Sequence, residues 1–494
     1  MTEQQYAEIA AACDRLLRRP GTSLARLAVP SLHFLNEHPS SLAQYAPVLD
    51  ARPGGDLFCV PKALVRAARG LARSLAAPRP APPHRGPVDV IIVSHLLKPE
   101  QLQRDDDFYF GAMQSQLQAL GATSLLVLIS HLRPDHGAVD TGLPCHPRVV
   151  LPVTVPPAME ADIWRRCASA WRALRREAAG TRNGVDSRLA ALASRHALSA
   201  SAVMNLRMHA ALADLFQDLK PKMVITTYEG TVAERLIWHA ARTAAPRPLC
   251  VGYQHAMVLK RAHAIRRAVA AFGIDCDPDI VLTLGALTHA ALAASAGLES
   301  VRFIEYGSHR RLTLPALPPP HDRPRHCLVL PDAGDQECAT LFEFALRCAR
   351  HSPQISFSLR PHPLVDTRGL RRRNPALRNL PGNVSLSLDR PLEQEFAQAR
   401  YCLYRGSSAA LYAARAGIRP YYVAQPGELA FDCLFALAGW RETVTSPAEL
   451  ADRIRLAESS TDSAAAGSAA DLCERYVSPL RPAALRELLA MVPS

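Results

Sequence analysis

The sequence predicts an α/β fold of two Rossmann-like, doubly wound domains that face each other across a cleft, preceded by a helical N-terminal extension. Short apolar runs rich in β-branched residues alternate with helical patterns from residue 88 onward, which is typical of parallel sheets. A Pro-rich break at 314–325 interrupts this alternation, which then restarts. The chain has 494 residues, enough for roughly two to four domains.

Residues 1–86 are predicted to form the helical extension. Apolar residues recur at helical spacing near the N-terminus, and residues 61–77 form an Arg-rich amphipathic pattern. The Pro-rich stretch 77–87 then reads as a linker to the first α/β domain.

The first α/β domain is assigned to residues 87–313. A helical pattern at 110–121 and a mainly helical stretch at 158–220 separate its strands. The strands are expected at 88–97, 124–130, 222–228, 248–254, 279–285 and 301–307.

The second α/β domain is assigned to residues 326–494, after a linker at 314–325. A helix is expected at 337–352 and another between the last two strands. The strands are expected at 326–332, 355–363, 383–388, 401–406 and 419–425. Ligands of such sheets bind at the carboxyl ends of the strands, so the cleft between the domains is the expected site.

The composition points to an anionic partner. The chain carries 57 basic and 45 acidic residues, a net charge of +12, which suits nucleic acid, acidic lipid headgroups or a phosphorylated or carboxylated substrate. No run of 18 apolar residues predicts a transmembrane helix, and the N-terminus lacks the pattern of a signal peptide. The 12 cysteines show no CxxC spacing and are expected to be reduced, so a cytoplasmic location is predicted.

Two strand ends of the first domain carry candidate functional residues. Tyr228, Glu229 and Gly230 form a strand-to-helix turn, where a carboxylate can act as a general base or complement the helix dipole. Gln254 and His255 directly follow the next strand, and histidine titrates near neutral pH.

The second domain offers two further segments. Arg360, His362 and Pro363 leave a strand together, and the prolines of this loop would hold the imidazole rigidly. An arginine there offers a bidentate fork for phosphate or carboxylate.

The other segment follows the strand that ends at Tyr404. Arg405 and Gly406 make a turn, and Ser407 and Ser408 open a helix. Serines at a helix start either cap the backbone N–H groups or, together with those groups, bind an anion.

Several motifs are missing from the sequence. No GxGxxG follows the first strand and no GxxxxGK[ST] is present, so nicotinamide-dinucleotide and P-loop functions are disfavoured. No HExxH or Cys/His zinc spacing occurs, and no metal site is predicted. No aromatic RNA-binding motif or zinc finger supports a nucleic-acid partner.

The order of these segments resembles the GT-B glycosyltransferases that use CMP-activated acidic sugars, namely bacterial sialyltransferases, polysialyltransferases and Kdo transferases. Those families share a D/E-D/E-G motif, an HP motif and a Ser or Ser-Ser motif. Here they correspond to Tyr228-Glu229-Gly230, His362-Pro363 and Ser407-Ser408. Tyr228 stands where those families carry a first acid, so a single carboxylate is left for the acid–base chemistry.

The resemblance implies a GT-B-like fold and transfer of an acidic 2-keto sugar, of the Kdo or sialic acid type, from a CMP-sugar to a surface glycan or glycolipid. His362, Ser407, Ser408, Arg360, Pro363, Gly406 and Arg405 would serve the donor nucleotide. Glu229 would take the proton from the acceptor, with His255, Gly230, Gln254 and Tyr228 catalytic or positioning. No cofactor is implied beyond the nucleotide sugar, and the basic surface would suit the anionic inner face of the cytoplasmic membrane.

Two alternatives remain open at the level of sequence. The first is a polyol-phosphate transferase that uses CDP-glycerol on a similar scaffold. The second is a GT-B-like protein that binds glycan without catalysing a reaction, because only one acid, Glu229, is present in its motif.

Overall fold

A computed structural model describes residues 1–19, 22–49, 58–76, 88–132, 146–180, 184–268, 275–314, 316–437, 439–459 and 463–492. The predicted linker at 77–87 lies outside these ranges. The predicted fold class is confirmed, because two separate parallel sheets with flanking helices form the protein.

The first sheet has seven strands in the order β3-β2-β1-β4-β5-β6-β7, all pairing in parallel. Their bounds are β1 Val90–Leu96, β2 Ser124–Ser130, β3 Arg148–Val150, β4 Met223–Thr227, β5 Leu249–Tyr253, β6 Ile280–Thr283 and β7 Arg302–Glu305. β-branched and aliphatic residues fill β1 and β4, which are almost wholly buried because helices cover both faces.

The second sheet repeats this winding with six strands in the order β10-β9-β8-β11-β12-β13. Their bounds are β8 His326–Leu330, β9 Ser356–Leu359, β10 Val384–Leu386, β11 Tyr401–Tyr404, β12 Arg419–Val423 and β13 Glu442–Val444. In both sheets the strand order reverses beside the first strand, which places a crevice between β1 and β4 and another between β8 and β11.

Helices surround the two sheets and form the N-terminal region. They are α1 Glu3–Leu17, α2 Leu24–Leu27, α3 Pro39–Ala43, α4 Ala46–Leu49, α5 Cys59–Ala76, α6 Met113–Ala119, α7 Pro157–Gly180, α8 Val185–Ala197, α9 Ala200–Leu219, α10 Val232–Thr243, α11 Ala286–Ala293, α12 Asp335–His351, α13 Thr367–Arg373, α14 Leu392–Gln398, α15 Ala409–Arg415, α16 Pro447–Ser459, α17 Ser463–Tyr476 and α18 Pro482–Ala490.

The N-terminal helices pack into the first domain and do not form a detached extension. Ile9, Leu16 and Phe34 are buried in one cluster with residues of α7, α8 and α9. This region also contacts the second domain, because the amino group of Met1 donates to the carbonyl of Gly427 over 3.1 Å.

The C-terminal helices return to the first domain, which differs from the predicted division at 326–494. Leu485 and Leu488 of α18 are buried beside Met113 of α6 and the strands of the first sheet. Tyr476 at the end of α17 accepts a hydrogen bond from the backbone N–H of Val258 over 2.8 Å. The second sheet therefore lies between two stretches of chain that both pack on the first domain.

The linker at 314–325 is held against the second domain. Arg323 is almost completely buried and donates to the carbonyls of Pro318, Phe396, Ala399 and Ala416. In the described part of the chain, the cysteines are free and nearly all buried. None of the described helices is both long and apolar enough to cross a membrane.

Candidate functional site

A cavity of about 680 Å³ lies between the two domains. It is lined by residues that follow β4 and β5 of the first sheet and β8, β9 and β11 of the second. These are the carboxyl ends of strands on both sides of the two crevices, where the topology predicts a ligand site. Glu229, His255, Arg360, His362 and Ser407 all line this one cavity.

A tight turn presents Glu229 at the end of β4. The carboxylate of Glu234, in the first turn of α10, accepts hydrogen bonds from the backbone N–H groups of Glu229, Gly230 and Thr231 over 2.8–3.0 Å. Gly230 has a φ of +83°, and a Cβ there would collide with the backbone of Ala264. The turn therefore requires glycine at this position.

Glu229 is paired with His255 across the ends of β4 and β5. Nε2 of His255 lies 3.0 Å from Oε1 of Glu229. Burial raises the pKa of Glu229, but the hydrogen bond and charge of His255 outweigh it, and the net effect lowers the pKa. The Tyr109 ring packs edge-on against His255 at a centroid distance of 4.8 Å. At neutral pH this pair holds an oriented carboxylate that can accept a proton.

On the second-domain side, His362 presents a defined ring nitrogen. Its Nδ1 accepts a hydrogen bond from the backbone N–H of Leu364 over 3.2 Å, so the proton of the neutral ring is on Nε2. Burial lowers the pKa of His362; Asp332 opposes this shift, whereas Lys98 and Arg310 add to it. His362 is therefore a neutral N–H donor above its ordinary pKa.

Two loop contacts hold the neighbours of His362. One guanidinium nitrogen of Arg360 donates to the carbonyl of Arg390 over 2.6 Å. Lys98, from the loop after β1, donates to the carbonyl of Pro363 over 2.9 Å. The second of these contacts joins the two domains beside the cavity.

Gly406, Ser407 and Ser408 line the cavity before α15. Gly406 has a φ of +66°, and a Cβ there would collide with the Phe431 ring. Ser408 occupies the N-cap position, but its hydroxyl makes no capping hydrogen bond. Helix α15 has only seven residues, so any role in anion binding rests on the two hydroxyls.

Four of the predicted site residues do not line the cavity, namely Tyr228, Gly230, Gln254 and Arg405. Arg405 is buried beside Glu337 and Glu428, to which its Nε and one terminal nitrogen donate over 2.9 and 2.5 Å. It also donates to the carbonyl of Val423 over 2.8 Å. The predicted donor-binding role of Arg405 is therefore corrected to a structural one.

Tyr228 and Gln254 are also structural. Tyr228 is fully buried, and its hydroxyl donates to the carbonyl of Ile265 over 2.9 Å. Gln254 is equally buried; its amide donates to the carbonyl of Ala256 and its oxygen accepts from the N–H of Leu284. Both anchor the segments next to Glu229 and His255, and neither can reach an acceptor in the cavity.

The cavity includes residues that sequence reasoning missed. His38, from the N-terminal region, lies with its Nε2 3.2 Å from Oδ2 of Asp332, across the domain boundary. Its Nδ1 accepts a hydrogen bond from the backbone N–H of Ser40, which leaves Nε2 to carry the proton of the neutral ring. Asp332 follows β8, as the predicted site residues follow their strands, so its position in the sequence could have identified it. Nothing in the sequence distinguished His38.

Arg310 is another cavity residue that sequence reasoning missed. Its guanidinium stacks over the Phe108 ring at 4.1 Å, and burial lowers its pKa while Tyr109 opposes that shift. Arg310 and Arg360 bring two guanidinium groups into the cavity lining, one from each side.

Among the described residues, no three His, Cys, Asp or Glu side chains are grouped closely enough to hold a metal ion. The carboxylates of Asp277 and Asp279 form ion pairs with Arg235 and Arg242, respectively.

No protein-family model matches the chain, and no curated protein matches it. Solved structures share low similarity over most of its length. A glycotransferase of kitacinnamycin aligns over 83% of this chain and 100% of its own, at 14% identity and a TM-score of 0.46. SnogD, a glycosyltransferase from Streptomyces nogalater, aligns over 82% and 99%, at 16% identity and 0.43. UDP-GlcNAc 2-epimerase from Neisseria meningitidis aligns over 81% and 99%, at 12% identity and 0.44.

Similarities at this level do not indicate an activity for the chain. The fold and the cavity themselves define a two-domain α/β protein with an interdomain site that combines a carboxylate–imidazole pair with two guanidinium groups. What this site does must be argued from its chemistry.

Proposed function

We propose that the protein is a glycosyltransferase that moves an acidic 2-keto sugar from a CMP-sugar to the hydroxyl of a surface glycan or glycolipid. One observation carries this proposal: the Glu229–His255 pair and the group formed by His362, Arg360 and Ser407 line the same interdomain cavity. A base on one side and anion-binding groups on the other are the two requirements of sugar transfer from an activated phosphate.

Glu229 would act as the general base toward the acceptor. Its lowered pKa keeps it ionised at neutral pH, and its contact with Nε2 of His255 fixes its orientation. The acceptor hydroxyl loses its proton to Glu229 while its oxygen forms the new bond to the anomeric carbon. The bond from that carbon to the phosphate oxygen breaks, and CMP leaves with the electron pair.

The second-domain groups would hold the departing phosphate. The Nε2–H of His362 would donate a hydrogen bond to a phosphate oxygen and so stabilise the negative charge that CMP gains as it leaves. Arg360 and the hydroxyls of Ser407 and Ser408 would bind the remaining oxygens.

The charge of the cavity supports an acidic sugar. A CMP-linked 2-keto sugar acid carries one negative charge on its phosphate and one on its carboxylate. Arg360 and Arg310 offer one guanidinium group for each. The partners in this proposal are the nucleotide sugar and a glycan or glycolipid of capsule or lipopolysaccharide assembly at the inner face of the cytoplasmic membrane.

The test is a donor screen with the purified protein and the Glu229→Gln variant. Release of the nucleotide is measured with CMP-sialic acid and CMP-Kdo in the presence of acidic glycan acceptors. CDP-glycerol and UDP-sugars are tested separately as alternative donors. We expect turnover with a CMP-sugar, reduced on the order of 10²-fold or more in Glu229→Gln. Glu343→Gln, an exposed change on α12, is the matched control and keeps full activity.

Turnover of CDP-glycerol alone would assign a polyol-phosphate transferase to the same cavity. Binding of glycan without release of any nucleotide would indicate a protein that binds and does not catalyse. Either result would overturn the proposal.

A further inference from the structure

Helix α5 packs on the protein through its small side chains. Its buried residues are Ala63, Gly70 and Ser74, which share one side of the helix. At Gly70 the helix crosses the Glu160–Arg207 ion pair so closely that a Cβ would collide with both side chains. This contact with α7 and α9 leaves no room to rotate the helix, so its other sides have fixed orientations.

The large apolar residues of α5 face away from the protein. Val60, Leu64, Leu71 and Leu75 follow one another at helical spacing and expose 36, 66, 38 and 70% of their surface. Phe58 and Val65, on the neighbouring side, expose 65 and 50%. An ordinary surface helix has the opposite arrangement, with its large apolar residues in the core. Single exposed apolar residues are common, but a continuous stripe of this kind marks an interaction surface.

A row of cations lies beside Phe58 and Val65, on the side of the helix opposite the stripe. Lys62, Arg66, Arg69 and Arg73 recur there at helical spacing, and all are exposed. Arg66 also reaches the carbonyl of Leu198 over 3.4 Å. Residues 58–76 include no acidic residue, although the chain has 45.

We infer that α5 is a docking helix for an anionic lipid bilayer, lying in the plane of the surface. An exposed apolar side with a row of cations along one edge, on a helix too polar to span a membrane, is the pattern of an interfacial helix. The stripe would enter the acyl boundary while the cations contact lipid phosphates. The charge of α5 favours a bilayer over a protein partner, because a protein that covers an apolar stripe does not require a row of cations on the same helix. The inference is independent of the chemistry proposed for the cavity.

The experiment is flotation of the full-length protein with two kinds of vesicle, phosphatidylcholine alone and phosphatidylcholine mixed with phosphatidylglycerol. We expect binding to the anionic vesicles that weakens as salt is added, and little binding to the neutral ones. Leu64→Ser combined with Leu75→Ser reduces the binding more than roughly tenfold, because two large apolar side chains no longer enter the lipid.

The charge variant is Arg69→Gln combined with Arg73→Gln. We expect roughly a 30-fold loss of affinity, since each cation near an anionic surface contributes about fivefold. The matched controls keep wild-type binding: Leu456→Ser on α16, where Leu456 exposes 63% of its surface, and Arg347→Gln combined with Arg350→Gln on α12.

Absence of wild-type flotation with anionic vesicles would overturn the inference. So would equal binding by the α5 variants and the controls. If the wild type is a dimer by light scattering and Leu64→Ser with Leu75→Ser makes it a monomer without changing flotation, the stripe is a contact between two copies. Thermal unfolding of each variant shows that the fold is intact, since no substituted side chain packs in the core.

Discussion

Arg360 and Arg405 of the second domain have different roles because their surroundings differ. Arg360 contacts a single backbone carbonyl and lines the cavity, whereas Arg405 is buried between two carboxylates. Both follow strands, and both were predicted from the sequence to bind the donor nucleotide. Their roles differ because one guanidinium is buried and paired and the other is not. Those differences depend on residues distant in sequence, such as Glu337.

Substituting the two arginines should therefore give opposite results. Arg405→Met leaves Glu337 buried without its partner and is expected to cost about 3–5 kcal/mol of stability. Arg360→Met should leave the midpoint of thermal unfolding within a degree or two of wild type, as is usual for a surface change, and weaken nucleotide binding. Calorimetric unfolding and nucleotide titration of both variants check this. Equal loss of stability in the two variants would contradict the assignment.

His33 predicts a pH dependence of stability. It is buried, its Nε2 donates to the carbonyl of Leu27 over 2.8 Å, and burial lowers its pKa to about 3, with the charge of Arg267 adding to the shift. Below the ordinary histidine pKa of about 6.5, His33 binds a proton in the unfolded chain but stays neutral in the folded protein. Its contribution to the free energy of unfolding is therefore highest above a pH of about 6.5. That contribution falls by about 1.4 kcal/mol per pH unit as the pH drops toward 3.

The midpoint of thermal unfolding should therefore fall between pH 7 and pH 5, and fall less steeply in His33→Gln. His289→Gln, at a histidine with no buried hydrogen bond among the described contacts, is the control and keeps the wild-type slope. An unchanged slope in His33→Gln would show that other groups govern the acid limb.

At the scale of elements, the turn from β4 to α10 controls the position of Glu229. Glu234 gathers three backbone N–H groups of that turn and the hydroxyl of Thr227, which donates over 2.8 Å. Glutamine at this position replaces one carboxylate oxygen by an NH2 group, which would point at the N–H donors of the turn. The turn would then lose hydrogen bonds, and Glu229 would no longer be held in its orientation.

We expect Glu234→Gln to lower stability by about 1–3 kcal/mol and to lower transferase activity as well. Glu449→Gln is the matched control, because Glu449 accepts from the N–H and hydroxyl of Thr445 at the start of α16, away from the cavity. Its activity should equal that of wild type. If Glu234→Gln lost stability and kept full activity, the turn would not position Glu229.

The sequence predicted the central strands of both sheets and also the edge strands β7 and β10. The central strands have unbroken apolar runs because both of their faces are covered, and the structure contains each of them with shorter ends. The edge strands β3 and β13 have three residues each and were missed, whereas the equally short β10 was found within a longer pattern at 383–388. The four strand-end segments were found because parallel strands bring their carboxyl ends to one edge.

At the scale of the whole molecule, sequence reasoning failed where the chain crosses between domains. His38 reaches the cavity from a region predicted to be a separate extension, and Tyr412 donates from α15 to the carbonyl of Arg310 over 3.3 Å. Helix α18 covers the first sheet after the second is complete. These contacts join residues far apart in sequence, and no local pattern records them.

The returning α18 makes the first domain depend on the C-terminus. Leu485 is fully buried against the first sheet, and Leu485→Ala is expected to cost about 2–5 kcal/mol of stability. Leu388→Ala, at a leucine that exposes 52% of its surface, is the control and should change little. Thermal unfolding of the two variants compares them; equal midpoints would mean that α18 does not stabilise the first domain.

The most direct test of the central claim is calorimetric titration of the protein with CMP, CDP, UDP and GDP, repeated with His362→Ala. Selective binding of CMP that His362→Ala weakens is the predicted result, because the Nε2–H of His362 would contact the nucleotide phosphate in the cavity. A ligand at about 100 times its Kd also stabilises the fold by about 2.7 kcal/mol, which gives an independent readout. Binding of UDP or GDP in place of CMP, or of no nucleotide, would contradict the account.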